Sequence, residues 1–187
     1  MTMSTLRFPL LSRLLHWLMA AMILAMLFIG IGMVSSLADY HWLLSIHRPL
    51  GIAILALVAV RLANRLINPP PPLPADMPAP MRLAAHASHV ALYALMFAVP
   101  LVGWAMLSAA RYPVVLYGTL TLPPILPQNA MAYAWLRETH TVLAFALFAV
   151  FLLHLAAALA HGLVFRDGVL PSMASLRAGR GPAGERG

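Results

Sequence analysis

Four apolar stretches, at residues 10–34, 46–67, 83–108 and 137–164, are each about twenty residues or longer, which is what an α-helix needs to cross the roughly 30 Å hydrocarbon layer of a bilayer. The expected fold is an all-α membrane protein, a four-transmembrane-helix bundle that forms one domain over residues 1–170. Composition agrees: 62% of the 187 residues are hydrophobic and 9% charged, far from the usual quarter of charged residues in a soluble globule. The first stretch is too long for a signal-peptide core and lacks a small-residue cleavage pattern, so it reads as a retained span.

Arginine sets the orientation, because all twelve basic residues are arginine. Arg7 and Arg13 precede or open the first span, Arg61, Arg65 and Arg82 flank the middle loop, and Arg166, Arg177, Arg180 and Arg186 follow the fourth span. The two remaining loops hold only Arg48, Arg111 and Arg137. The positive-inside rule then puts both termini and the middle loop in the cytoplasm. In a bacterium this means a multi-pass inner-membrane protein whose other face is periplasmic. The net charge of +7 reports topology, with no nucleic-acid partner implied.

The middle loop, residues 68–80, is proline-rich and favours extended polyproline II geometry, a semi-rigid strap between spans two and three. Residues 109–136 form a longer loop carrying Arg111, Tyr112, Tyr117 and Trp135, a candidate roof over the outer side of the bundle. After Phe165 the chain is rich in Gly, Ala and Arg, and residues 171–187 are expected to be a disordered tail.

Chemistry in this chain has to rest on histidine. The absence of cysteine removes disulfides, thiolate ligands, iron–sulfur clusters and covalent haem attachment, and five acids are too few for a carboxylate-rich metal site. Eight histidines are a surplus, and ionisable residues inside a span are costly enough to be functional by default. His140, His154 and His161 follow one another at gaps of fourteen and seven residues, and multiples of seven return to nearly the same helix face. His140 and His154 would stand about 21 Å apart along the axis, which suits two stacked metal centres.

A haem held by two histidines needs neutral imidazoles from different helices at matching depth. His47, at the outer start of the second span, matches His140, and Gly51 lies four residues inward on the same face, where a missing side chain could admit a flat porphyrin. Two residues match His154, namely His16 on the first span and His89 on the third, and depth alone does not choose between them. His86 and His89 share a face near Arg82 at the end of the strap, and His161 lies at the same boundary. Such a cluster suits a polar head group that takes protons, such as a quinone; interfacial histidines touching lipid head groups are the plainer reading. His41, beside Asp39 and Tyr40, reads as an interfacial loop residue.

These landmarks together resemble the bacterial cytochrome b561 type of four-helix di-haem membrane cytochrome, and within it the superoxide oxidases. They are Leu15-His16-Trp17, Ile46-His47 with Gly51, the arginine and proline run 61–72, Ala85-His86 through His89, Glu138 to His140, and Leu153-His154 through Ala160-His161. The resemblance implies two haem b groups, an inner one between His16 and His154 and an outer one between His47 and His140. It also implies a ubiquinone site at the inner surface near residues 79–83 with Arg82, and His161; His86 and His89 are further candidates from their place in the histidine cluster alone. The strap departs from the family pattern: where members often carry lysines, this chain has Pro, Ala and Asp76, which leaves Arg82 as the base.

The activity this implies is oxidation of superoxide to O2 at the periplasmic face with reduction of ubiquinone near the cytoplasmic face. Arg48, beside His47, and Arg137, three residues before His140, are the candidates for steering the anion. Interfacial anchoring is their simpler role. A second reading is a cytochrome b anchor subunit exchanging electrons between quinone and a periplasmic dehydrogenase or hydrogenase. A third is a histidine-based metal or proton transporter.

Overall fold

The structure is a computed structural model that describes residues 8–74, 77–116, 118 and 120–174. Its elements are α1 (Leu10–Ser35), α2 (Tyr40–Ile67), α3 (Ala79–Ala109), β1 (Val114–Leu116), β2 (Leu120–Leu122), α4 (Ala130–Ala160), a π-helical turn (His161–Phe165) and α5 (Val169–Ala174). Four helices, with α4 continued to Phe165, are long and apolar enough to cross a membrane.

Short polar fastenings make the helices antiparallel. The Ser36 hydroxyl donates to the Asp39 carboxylate (2.8 Å) and the Asp39 N–H returns a bond to the Ser36 hydroxyl (3.3 Å), which closes the turn from α1 to α2. At the far end of the same pair, Asn64 Nδ2 donates to Ser12 Oγ (2.8 Å), and Asn68 Nδ2 donates to Asn64 Oδ1 (3.0 Å). Asn64 is buried, so these bonds satisfy amide groups that lipid could not. We call this the strap end, since the proline-rich segment leaves α2 and enters α3 there. The opposite end carries the β1–β2 hairpin.

The core is a narrow apolar seam: Met19 and Ile23 of α1, Ile54 and Val58 of α2, Met96 of α3 and Leu147 of α4. The bundle is otherwise apolar on its outside. Phe28, Val90, Val142, Phe145 and Leu153 are each at least 65% exposed, the pattern of side chains meant for lipid rather than water. Pro49 in α2 and Pro100 in α3 each lack a backbone N–H, and each sits on the wall of a cavity described below.

The span boundaries differ from the sequence expectations at the hairpin end. Helix α2 starts at Tyr40 rather than at residue 46, so His41 lies in its first turn, with its ring edge-on to Tyr40 at 5.7 Å. Helix α4 starts at Ala130 rather than at residue 137, which moves Trp135 from the loop onto the helix. Hydropathy marks the hydrocarbon layer, whereas helices continue as far as backbone bonds and caps allow; the Asn129 side chain accepts from the Ala132 N–H (2.9 Å) and caps α4 in the polar zone.

The shortened loop has structure of its own. Strands β1 and β2 pair antiparallel, Val114 opposite Leu122 and Leu116 opposite Leu120, and Gly118 at the tip has φ +79°, a left-handed conformation that glycine adopts without strain. The loop is fastened to α3 by the Trp104 indole N–H on the Pro123 carbonyl (3.1 Å) and the Ile125 N–H on the Ser108 hydroxyl (3.1 Å).

Beyond α4 the chain does not stop being ordered at residue 171, since residues 171–174 are the last part of α5. The Trp17 indole N–H donates to the Met173 carbonyl (3.2 Å) and ties that short helix to α1. The remainder of the expected tail, with Arg177, Arg180 and Arg186, lies outside the described residues, as do Arg7, Asp76 and Tyr117.

Candidate functional site

Helix α4 carries His140 and His154, and the other helices bring imidazoles to them at two levels. At the hairpin end the rings of His140 and His47 have centres 6.1 Å apart, inclined by 71°. At the strap end His154 stands 6.3 Å from His16 and 5.5 Å from His89, inclined by 60° to each. A metal-bound imidazole nitrogen lies about 2 Å from its metal and about 1.1 Å in front of its ring centre, so two rings facing one metal from opposite sides are about 6.2 Å apart. His140 with His47, and His154 with His16, have that spacing. His89 is closer to His154 than it.

Among the described residues no three His, Asp or Glu side chains are grouped as a bare metal ion would need. Pairs of imidazoles with apolar surroundings suit a flat macrocycle that fills its metal's remaining positions itself. The donor chemistry at the hairpin end fits this closely. A carbonyl can only accept, so the 3.0 Å contact between His140 Nδ1 and the Val99 carbonyl puts the ring proton on Nδ1 and leaves Nε2 with a free lone pair. His47 Nδ1 is buried without a partner. Ile23, Met26, Gly51, Ile54, Met96 and Pro100 line the slot beside the two rings.

Gly103 of α3 makes this seating possible, and sequence reasoning missed it. A Cβ at Gly103 would lie 3.0 Å from His140 Cε1 and 3.3 Å from Nδ1, tight enough that the ring would have to give by a few tenths of an ångström. Gly51, the glycine singled out from sequence, lines the slot but is less demanding: a Cβ there would meet Met26 Cε at an ordinary 3.7 Å. The signal available for Gly103 was its place near the outer end of an apolar span, which does not reveal what it faces.

At the strap end Arg61 of α2 reaches His16, with Nη2 2.8 Å from Nδ1. Its guanidinium also lies over the Tyr93 ring of α3 at 5.7 Å, and Arg65 shares that ring at 5.8 Å. The candidate quinone residues take separate partners. His86 Nδ1 donates to the Arg82 carbonyl (2.8 Å), one turn back on its own helix, and Arg82 Nη2 donates to the Met77 carbonyl (3.0 Å). His89 faces His154, as above.

His161 is buried at the first position of the π-helical turn, where its Nδ1–H donates to the Asp167 carboxylate (2.5 Å). A π-helical turn is an uncommon conformation that recurs at functional positions. The chain doubles back through left-handed residues Arg166 (φ 52°) and Gly168 (φ 83°), which brings Asp167 under the histidine, and Asp167 Oδ1 also accepts from the Val169 N–H (3.1 Å). Sequence reasoning passed over Asp167 because it follows the last span. Its rarity was the available signal, as one of five acids in the chain.

The two steering candidates are placed differently. Arg48 is partly buried, its Nε has no partner, and it lines a half-open cavity of about 720 Å³ with Pro49, Val115 and Gly118 beneath the hairpin. Arg137 is exposed on the first turns of α4.

A sequence profile described as prokaryotic cytochrome b561 matches residues 7–175. The chain is 32% identical over 171 residues to cytochrome b561 homolog 2 of Escherichia coli (strain K12), covering 89% of this chain and 90% of that protein. It is also 32% identical over 161 residues to a protein of Yersinia pestis named probable superoxide oxidase CybB, covering 85% of this chain and 90% of that one. Matched from the first turn of the bundle to α5, the chain belongs to the prokaryotic cytochrome b561 family of haem-dependent membrane electron-transfer proteins.

Proposed function

We propose that this protein is a di-haem superoxide:ubiquinone oxidoreductase of the bacterial inner membrane, with the hairpin end periplasmic and both termini cytoplasmic. Two superoxide anions each give up one electron and leave as O2; one ubiquinone takes both electrons and two protons and leaves as ubiquinol. The observation that carries the reading is the presence of two imidazole pairs at two depths along α4, one near each end of the bundle. Haem b, when bound at each pair, supplies a one-electron centre.

The chain's own residues do the rest. His47 and His140 would hold the outer haem, and His16 and His154 the inner one. The Val99 carbonyl keeps the His140 ring turned and protonated on Nδ1, so that Nε2 can serve the metal. At the outer mouth Arg48 and Arg137 supply positive charge that concentrates a small anion. At the strap end His161, oriented by Asp167, can give up a proton to a reduced quinone and recover one from the cytoplasmic side. Arg82 and His86, both exposed at the start of α3, would meet a quinone head group approaching from the membrane.

A single experiment tests the reading. Purified protein is supplied with an enzymatic superoxide source and a soluble ubiquinone analogue, while the haem bands and quinol are followed together. Haem reduction followed by quinol formation, both abolished by superoxide dismutase, is the expected result. Reduction of the haems by a co-purifying periplasmic subunit, with no response to superoxide, would make the protein an anchor cytochrome instead.

A further inference from the structure

Arg13 is the least accessible charged side chain among the described residues, 5% exposed, and its Nε and Nη1 are buried with no hydrogen-bond partner. A guanidinium stays protonated at any physiological pH, so this charge cannot be shed. With these two donors buried and unsatisfied among the described residues, it is a costly arrangement for a protein to hold. Arg13 lies three residues before His16, on the same side of α1. The Asn64–Ser12 bond holds the turn of α2 that carries Arg61 and Arg65 against this part of α1.

Arg61 and Arg65 therefore stand by the strap-end imidazoles, with Arg13 one turn from His16 along α1, and among the described residues no carboxylate pairs with any of the three. Asp39 and Glu138 belong to the opposite end, and Asp167 is engaged by His161. Arg61 points to the missing partner. A guanidinium only donates, so its 2.8 Å contact requires His16 Nδ1 to accept. A neutral imidazole that ligates a metal through Nε2 carries its proton on Nδ1, and one that ligates through Nδ1 has no lone pair left there. Either way Arg61 must exchange this bond for another acceptor when His16 becomes a ligand.

We infer that Arg13 and Arg61 form a carboxylate clamp for the propionate groups of the haem held beside His16. This rests on the di-haem reading above and goes beyond it by assigning the anionic edge of the cofactor. The incoming group brings acceptors that the described residues do not supply, which compensates Arg13 and releases His16 Nδ1 from Arg61. A lipid phosphate has the same hydrogen-bonding chemistry. It is disfavoured because Arg13 is enclosed by the bundle, whereas a head group stays at the surface.

The test uses holoprotein purified from cells fed 5-aminolevulinate labelled with carbon-13 at its carboxyl, which marks the propionates. Redox-difference infrared spectra should show label-sensitive carboxylate bands displaced from those of haem in detergent micelles. In Arg13→Gln those bands should move toward the micelle position and the midpoint potential of one haem should fall, because a lost cation favours the ferric state; Arg13→Lys should recover part of both. Label-sensitive bands in the unsubstituted protein that match free haem would overturn the clamp without any variant. So would unmoved bands in Arg13→Gln accompanied by loss of bound phospholipid phosphorus, which would assign the anion to a lipid. A preparation with no b-type haem would overturn the di-haem reading as well, whereas two haems with unmoved bands would overturn the clamp alone.

Discussion

The His140 imidazole donates from Nδ1 to the Val99 carbonyl of the neighbouring helix at 3.0 Å, in a recess that exists because residue 103 has no side chain. One interhelical bond thus sets the rotation, the tautomer and the free nitrogen of a candidate haem ligand. Its dependence on a glycine is directly testable.

Gly103→Ala should push the His140 ring off Val99, costing about 1 kcal/mol for the lost bond, with added strain. The expected outcome is easier loss of one of two haems on purification or warming, read from the haem-to-protein ratio and the melting of the haem band. Gly51→Ala touches only Met26 within the protein, so it should leave the His140 ring on Val99, and any haem loss should come from its methyl entering the slot. An undisplaced His140 ring in Gly103→Ala would refute this account of the recess.

Removing single imidazoles should sort the two levels. His47→Ala should lose one haem and keep the strap-end centre, and His16→Ala should lose the other. His89→Ala should keep both, since its ring stands only 5.5 Å from His154, nearer than two ligands sharing one metal. Pyridine haemochrome counts decide each case; full haem content in His16→Ala with loss in His89→Ala would make His89 the ligand.

The arginines of the hairpin end should act on capture rather than on haem binding. Arg137→Gln should slow superoxide-driven quinone reduction by roughly two- to fivefold at low ionic strength and flatten its salt dependence, because an exposed charge acts through a screened field. Arg48→Gln, partly buried in the cavity wall, should slow the reaction with less change in salt dependence. Stopped-flow rates from low to high salt check both, and unchanged rates would leave the two arginines as interfacial anchors.

Asp167→Asn keeps the shape of the turn but removes the charged acceptor from His161. Quinol formation should slow roughly tenfold, the usual scale for an orienting partner, while haem reduction by superoxide keeps its rate. If both steps keep their rates, Asp167 serves only to fasten the turn into α5.

Much of this molecule was legible along the chain. Sustained hydropathy marked the four spans, and the expected bundle is the one observed. The heptad-multiple spacing marked His140, His154 and His161 as one face. The errors fell at helix ends and in the connection from α3 to α4, where a hairpin and caps replace the expected irregular loop. Those features depend on individual polar side chains, which a hydropathy average does not weigh.

By itself the sequence determined the number of membrane-crossing helices and the spacing of His140 and His154 along α4, because hydropathy and helical periodicity are properties of one segment at a time. Only the tertiary structure decided that His140 lies against Val99 in the space left by Gly103, that Arg61 reaches His16, that Asp167 turns back to His161, and that Arg13 is buried with Nε and Nη1 unpartnered among the described residues. Each of these depends on the rotation and axial offset of one helix against another. Those two quantities come from packing the whole bundle at once, so no stretch of sequence carries them alone.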